Sequence, residues 1–161
     1  IVHARNAWLK GLSPKENREI PPLKYEWVYR LKSLRPHLCI VINGGIHTLE
    51  ETKTHLQQVD GVMIGREAWH NTFFLAEVDN AIFADDSATP NRIAVTRQYA
   101  NYCQQQLQEG VSLGILTRHI LGLWHNVPGS RGFRRYISEN AHKKGATVEV
   151  IEAALEKIAR I

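Results

Sequence analysis

Apolar positions along the chain follow two rhythms, and the change between them falls near Asp79 to Pro90. Before that point, short apolar runs alternate with helical patterns. Leu38-Cys39-Ile40-Val41-Ile42 is an unbroken run rich in β-branched residues, the pattern of a strand buried on both faces. It stops at Asn43-Gly44-Gly45. Thr48-Leu49-Glu50-Glu51 then has the form of a capping box and predicts a helix to about Gln57. Val62-Met63-Ile64 predicts the next strand, closed by Gly65 and followed by a helix from about Glu67. Ile1-Val2 reads as the tail of an earlier strand, and Tyr25 to Leu34 has helical spacing before Pro36. The order is strand, long loop, helix, strand, helix, strand, helix. Repeated βα units imply a parallel sheet, doubly wound or closed into a barrel. Three strands complete neither, so the expectation is that residues outside this sequence, or another chain, complete the sheet.

After Asp85-Asp86-Ser87, read as a linker, only helices are predicted. Thr89 with Pro90 forms a cap and first-turn pair for a helix over Ile93 to Leu107, ended by Gly110. Val111 to Trp124 predicts a second helix and Arg131 to Lys143 a third. Thr147 is expected to cap the last, with Val148, Ile151, Leu155 and Ile158 on one face. The expected organisation is an α/β domain over residues 1–84 and a small all-α helical bundle over 85–161.

Composition narrows the class. A hydrophobic fraction of 43% supports a packed core. The longest apolar run, Leu38 to Ile42, is far too short to span a bilayer. Arg5 and His3 at the start do not resemble a secretory signal, and the missing initial Met leads us to expect sequence upstream. Cys39 and Cys103 have no metal-type spacing and are too few for a disulfide framework, which makes a cytoplasmic setting the default and a metal site unexpected. The formal charge of +4, from 20 Lys and Arg against 16 Asp and Glu, is only mildly basic. Its distribution says more: Arg118, Arg131, Arg134, Arg135, Lys143 and Lys144 meet a single acid, Glu139, between Arg118 and Lys144. By charge counting alone, a solvated basic face remains the plainer reading.

Ligands of α/β folds gather at the carboxyl ends of strands. Three successive ends here carry His3-Ala4-Arg5, Asn43-Gly44-Gly45 and Gly65-Arg66. Glycines there let backbone N–H groups approach an anion, and Arg66 supplies a fork of donors suited to phosphate. Each element alone is weak, while their order favours phosphate binding. Phosphorylated substrates, nucleotides and flavins all remain open at this point.

Longer blocks are more specific. Ile1-Val2-His3-Ala4-Arg5-Asn6-Ala7-Trp8 with Gly11 to Arg18, Val41 to Ile46 and Asp60 to Arg66 closely resembles the tRNA-dihydrouridine synthase family. Within it, the match is to the bacterial-type subfamily acting on D-loop uridines at about position 20. His119 to His125 and Pro128 to Arg135 resemble that family's tail. The resemblance implies the last three strands of an FMN-binding (β/α)8 TIM barrel followed by a helical tRNA-binding domain. It implies reduction of the C5–C6 bond of uridine, with NADPH as reductant and a cysteine as general acid. His3, Asn43, Gly44, Gly45, Gly65 and Arg66 match FMN-contacting positions. Arg5 matches a mouth residue near the base, and Lys15, Arg18, Arg131 and Arg134 match tRNA contacts, mainly to phosphates.

The family's catalytic cysteine lies upstream of the matching region, so no catalytic residue is expected in this chain. Cys39 is expected inside a buried strand and Cys103 in a polar stretch, neither in the acid's place. On this reading the chain alone turns nothing over, and the full-length protein is a monomer. Two other functions stay open: a non-catalytic tRNA-binding fragment, and another phosphate- or flavin-binding barrel oxidoreductase. The sequence does not separate NADPH from NADH. His37, His47, His55 and His70 read as surface or turn residues, and Trp8, Trp27, Trp69 and Trp124 as packing residues.

Overall fold

A computed structural model describes residues 1–158. Its contacts gather into two units, Ile1–Glu67 and Ala68–Ile161, the last three residues lying outside the described part. The stretch 68–84, which the periodicity had joined to the first domain, packs with the helices that follow it.

The first unit is α/β. Strands β1 (Val2–His3), β2 (Val41–Asn43) and β3 (Gly61–Met63) form a parallel sheet in sequence order. Helix α1 (Tyr25–Leu34) makes the first crossover and α2 (Leu49–Leu56) the second. The register sets Val2 beside Ile42, and His3, Asn43 and Met63 in one row. Ile42, Val28, Ile40, Ile46 and Val59 close the core beneath them.

Local chemistry fixes these boundaries. The expected capping box forms: Thr48 Oγ1 accepts from Glu51 N at 3.1 Å, and Glu51 Oε2 accepts from Thr48 N at 3.0 Å. The strand expected over 38–42 begins only at Val41. Leu38 N–H bonds Arg35 O in a turn, and its carbonyl takes the Lys32 ammonium. Ile40 N–H goes to the Asp60 carboxylate at 2.7 Å instead of a ladder partner. Cys39 is therefore exposed before the strand rather than buried inside it. Asp60 also holds Lys32 at 2.8 Å, tying α1 to the amino end of the sheet.

The second unit is all helical: α3 (Arg66–His70) runs into it, followed by a 3-10 stretch (Thr72–Glu77), then α4 (Val78–Phe83) and α5 (Arg92–Gln108). After these come α6 (Leu113–Leu116), α7 (Ser130–Asn140) and α8 (Glu149–Leu155). Phe133, Leu113, Ile137, Ile151, Cys103 and Trp124 form its core. Cys103 is thus a core residue, and burial pushes its thiol up to about 11. The Trp124 indole donates to Thr96 Oγ1 at 3.2 Å, and that hydroxyl donates to Arg92 O, so the buried polar groups are satisfied.

Four helix expectations are corrected. Asn91, not Thr89, caps α5, its side chain accepting from Ile93 and Ala94 N–H. The single helix expected over 111–124 is broken into α6, a 3-10 turn (Thr117–Ile120) and further turns. Gly122 lies against backbone there: an added Cβ would sit 2.6 Å from Trp69 O and 2.7 Å from His70 O. The third helix ends at Asn140 rather than Lys143. The Thr147 side chain caps nothing: Val148 holds the cap position of α8, and the Thr147 carbonyl accepts from Val150 N–H in a tight turn. Of the four tryptophans Trp124 is a core residue, while Trp8, Trp27 and Trp69 are exposed, Trp69 meeting the His119 ring edge-on at 5.5 Å. His55, expected at the surface, is buried.

Because the atoms facing Gly122 are backbone carbonyls, they cannot swing aside. Gly122→Ala should lower unfolding stability by about 1–3 kcal/mol, read as a fall in denaturant midpoint without a change in slope. An unchanged midpoint would show that the close approach is not a packing constraint.

Candidate functional site

The row His3, Asn43, Met63 brings the three predicted strand ends side by side. Asn43 binds them together: its side-chain amide donates to Met63 O at 2.8 Å, and its carbonyl accepts from Ala4 N at 2.8 Å. Beyond Asn43 the chain turns through Gly44 at φ +126° and Gly45 at φ +66°, a backbone that side chains disfavour. A Cβ at Gly45 would lie 2.7 Å from Leu23 Cδ1, and one at Gly44 would lie 3.2 Å from His3 Cε1. The turn is thus pressed between Leu23 and His3. Gly65 differs: neither its φ nor any neighbour within 4 Å calls for glycine. Its missing side chain leaves open space at the end of β3, beside Arg66.

Positive charge converges on the same edge. Partial desolvation first, then the charges of Arg5, Arg66 and Arg18, hold the exposed His3 imidazole below its ordinary range. A neutral imidazole amid three guanidinium groups is a setting for an anionic ligand. Arg5 is anchored, its Nε donating to Pro21 O at 2.7 Å, while its Nη1 is buried with no hydrogen-bond partner. Arg66 Nη1 lies 3.5 Å from Glu19 Oε1, an exposed pair of small energetic weight.

The loop between Ala4 and Lys24 is closed at its base by Lys24 N–H to Ala4 O at 2.7 Å. Asn17 ties its middle, accepting from Trp8 N at 2.7 Å and donating to Trp8 O at 3.0 Å. Ser13 and Glu16 exchange side-chain-to-backbone hydrogen bonds at the start of a short 3-10 turn over Glu16–Arg18. Lys15 and Arg18 are thereby exposed on an ordered scaffold. In the second unit, Arg131 and Arg134 lie three residues apart on α7, on neighbouring positions of one face. Arg131 is exposed and Arg134 half-buried.

Residues missed from the sequence are those that shape the turn and loop: Asn17, Glu19, Leu23 and Tyr25. The Tyr25 hydroxyl donates to Gly44 O at 2.7 Å. Tyr25 opens α1 and reads as an ordinary apolar helix position. Only the crossover that returns α1 against the strand end reveals its partner.

Among the described residues no helix is long and apolar enough to cross a membrane. The model of the family described as dihydrouridine synthase matches residues 1–159. The tRNA-dihydrouridine(20/20a) synthase of Vibrio cholerae serotype O1 is 56% identical over 157 residues, 98% of this chain and 48% of the relative. The protein of that name from Salmonella typhimurium is 56% identical, and that from Escherichia coli K12 55%, each over 99% of this chain. The chain spans about half the length of these curated relatives. The ordered strand ends, the glycine turn and this extent of identity together show that the chain belongs to the dihydrouridine synthase family.

Proposed function

We propose that the whole protein reduces uridine to dihydrouridine in the D-loop of tRNA, using FMN and NADPH. The observation that carries this reading is the single edge where His3, the Gly44-Gly45 turn, the open side of Gly65 and three arginines meet, in a chain of this family. The residues fit a phosphorylated flavin. The glycine turn takes a backbone that only glycine adopts readily, Gly65 leaves unfilled space, and the buried Arg5 Nη1 has no partner of its own.

On this reading the sheet is the last three strands of a (β/α)8 barrel, and residues 85–161 are the tRNA-binding domain. Gly44, Gly45, Gly65 and Arg66 would hold the FMN phosphate end, Asn43 would hold their spacing, and His3 would contact the flavin. Bound FMN would supply hydride chemistry at the C5–C6 bond of uridine, drawing on NADPH. Arg5 would border the base. Lys15, Arg18, Arg131 and Arg134 would bind RNA phosphates and position the substrate, while RNA shape and an extruded uridine provide selection.

Neither cysteine suits the role of proton donor. Cys39 precedes β2, at the end of the sheet opposite the glycine turn, and Cys103 is buried with its thiol held at about 11. On this reading the general acid is the cysteine that the family resemblance puts upstream. Acting on tRNA places the protein in the cytoplasm, and one full-length monomer per tRNA is the simplest stoichiometry.

The reading is tested with a chain of the relatives' full length, unmodified tRNA transcript, FMN and NADPH. Gain of two hydrogens on a D-loop fragment, read by mass spectrometry, is the expected result. Binding of tRNA with no such gain would leave the non-catalytic alternative. Arg131→Ala with Arg134→Ala should weaken tRNA binding about tenfold or more at moderate salt and flatten its salt dependence, with FMN binding unchanged. Unchanged tRNA affinity would remove the pair from the interface.

A further inference from the structure

The Gly44-Gly45 turn has little stiffness of its own, because glycine backbone rotates freely. Its peptide plane is set from outside. The Tyr25 hydroxyl donates to Gly44 O at 2.7 Å, and in a trans peptide the Gly45 N–H points opposite to that carbonyl. The direction of the Gly45 N–H is therefore fixed by Tyr25.

Tyr25 is held in turn. His55, buried on α2, meets its ring edge-on with centroids 4.5 Å apart. Tyr29, one turn along α1, brings its hydroxyl to His55 Nδ1 at 2.6 Å. Burial keeps the His55 imidazole below its ordinary range and raises the Tyr25 phenol, so both remain neutral near pH 7 and the phenol retains its proton. Leu23, two residues before Tyr25, presses on both glycines. Helices α1 and α2 thus converge on one peptide plane.

We propose that Tyr25 is a positioning residue for the phosphate end of the cofactor: through Gly44 O it aims the Gly45 N–H that receives the phosphate. This rests on the flavin reading above. Tyr25 touches neither the isoalloxazine ring nor RNA in this role, so removing its hydroxyl should be felt only by ligands that carry phosphate.

The test compares FMN with riboflavin, which lacks the phosphate, by fluorescence titration of full-length wild-type protein and Tyr25→Phe. FMN should bind the variant about tenfold more weakly, and riboflavin within about twofold of wild type. The phosphorus resonance of bound FMN should also move. Equal weakening of both ligands would mean general damage to the site and would overturn the proposal, as would unchanged FMN affinity. If wild type binds neither ligand, the flavin reading fails and the proposal falls with it. If wild type binds both equally, the flavin reading stands and the turn has no role in phosphate binding. Should Tyr25→Phe not fold, Tyr25→His keeps a ring without the hydroxyl, and the same FMN-to-riboflavin ratio decides.

Discussion

Asn43 donates its side-chain amide across the sheet to Met63 O, while its carbonyl accepts the Ala4 N–H from the other side. Through this one residue the ends of all three strands are fixed in a row. Everything proposed for the site depends on that alignment. The strands are only two or three residues long, so the ladders alone supply few bonds to hold the register. A slip of one residue would turn every side chain to the opposite face. Held as it is, the row delivers His3, the Gly44-Gly45 turn and Gly65 to one edge.

What gathers at that edge is charge without much intrinsic order. The charges of Arg5, Arg66 and Arg18 all bear on His3, and a long glycine- and proline-containing loop carries Arg5 and Arg18. The loop is kept in shape by polar contacts rather than by a core: Asn17 on Trp8, Arg5 on Pro21, Ser13 on Glu16. Glu19 takes up part of the Arg66 charge. An anion entering here would meet guanidinium groups able to give charge-assisted hydrogen bonds, with the scaffold already in place.

Much of this was legible in the sequence. The β-branched run before Asn43, the capping box at Thr48 and the glycines at successive strand ends gave a parallel α/β arrangement and the strand ends that the register sets side by side. Hydrophobic periodicity failed where a contact distant in sequence decided the matter. Leu38 and Cys39 look like strand, but Lys32 and Asp60 capture the backbone around them. The helix expected through Gly122 is broken where that glycine meets the carbonyls of Trp69 and His70. Tyr25 and His55 pass for helix-face residues, and their role exists only once two crossovers bring them to the same turn.

The proposed function rests most directly on the Gly44-Gly45 turn serving as a cofactor cradle. The decisive measurement is the visible spectrum of purified full-length Gly45→Ala beside wild type, with near-ultraviolet circular dichroism to check folding. A Cβ there meets Leu23 Cδ1 at 2.7 Å on a backbone of φ +66°. The prediction is a folded, colourless variant beside a yellow wild type. A folded variant carrying stoichiometric flavin would contradict it.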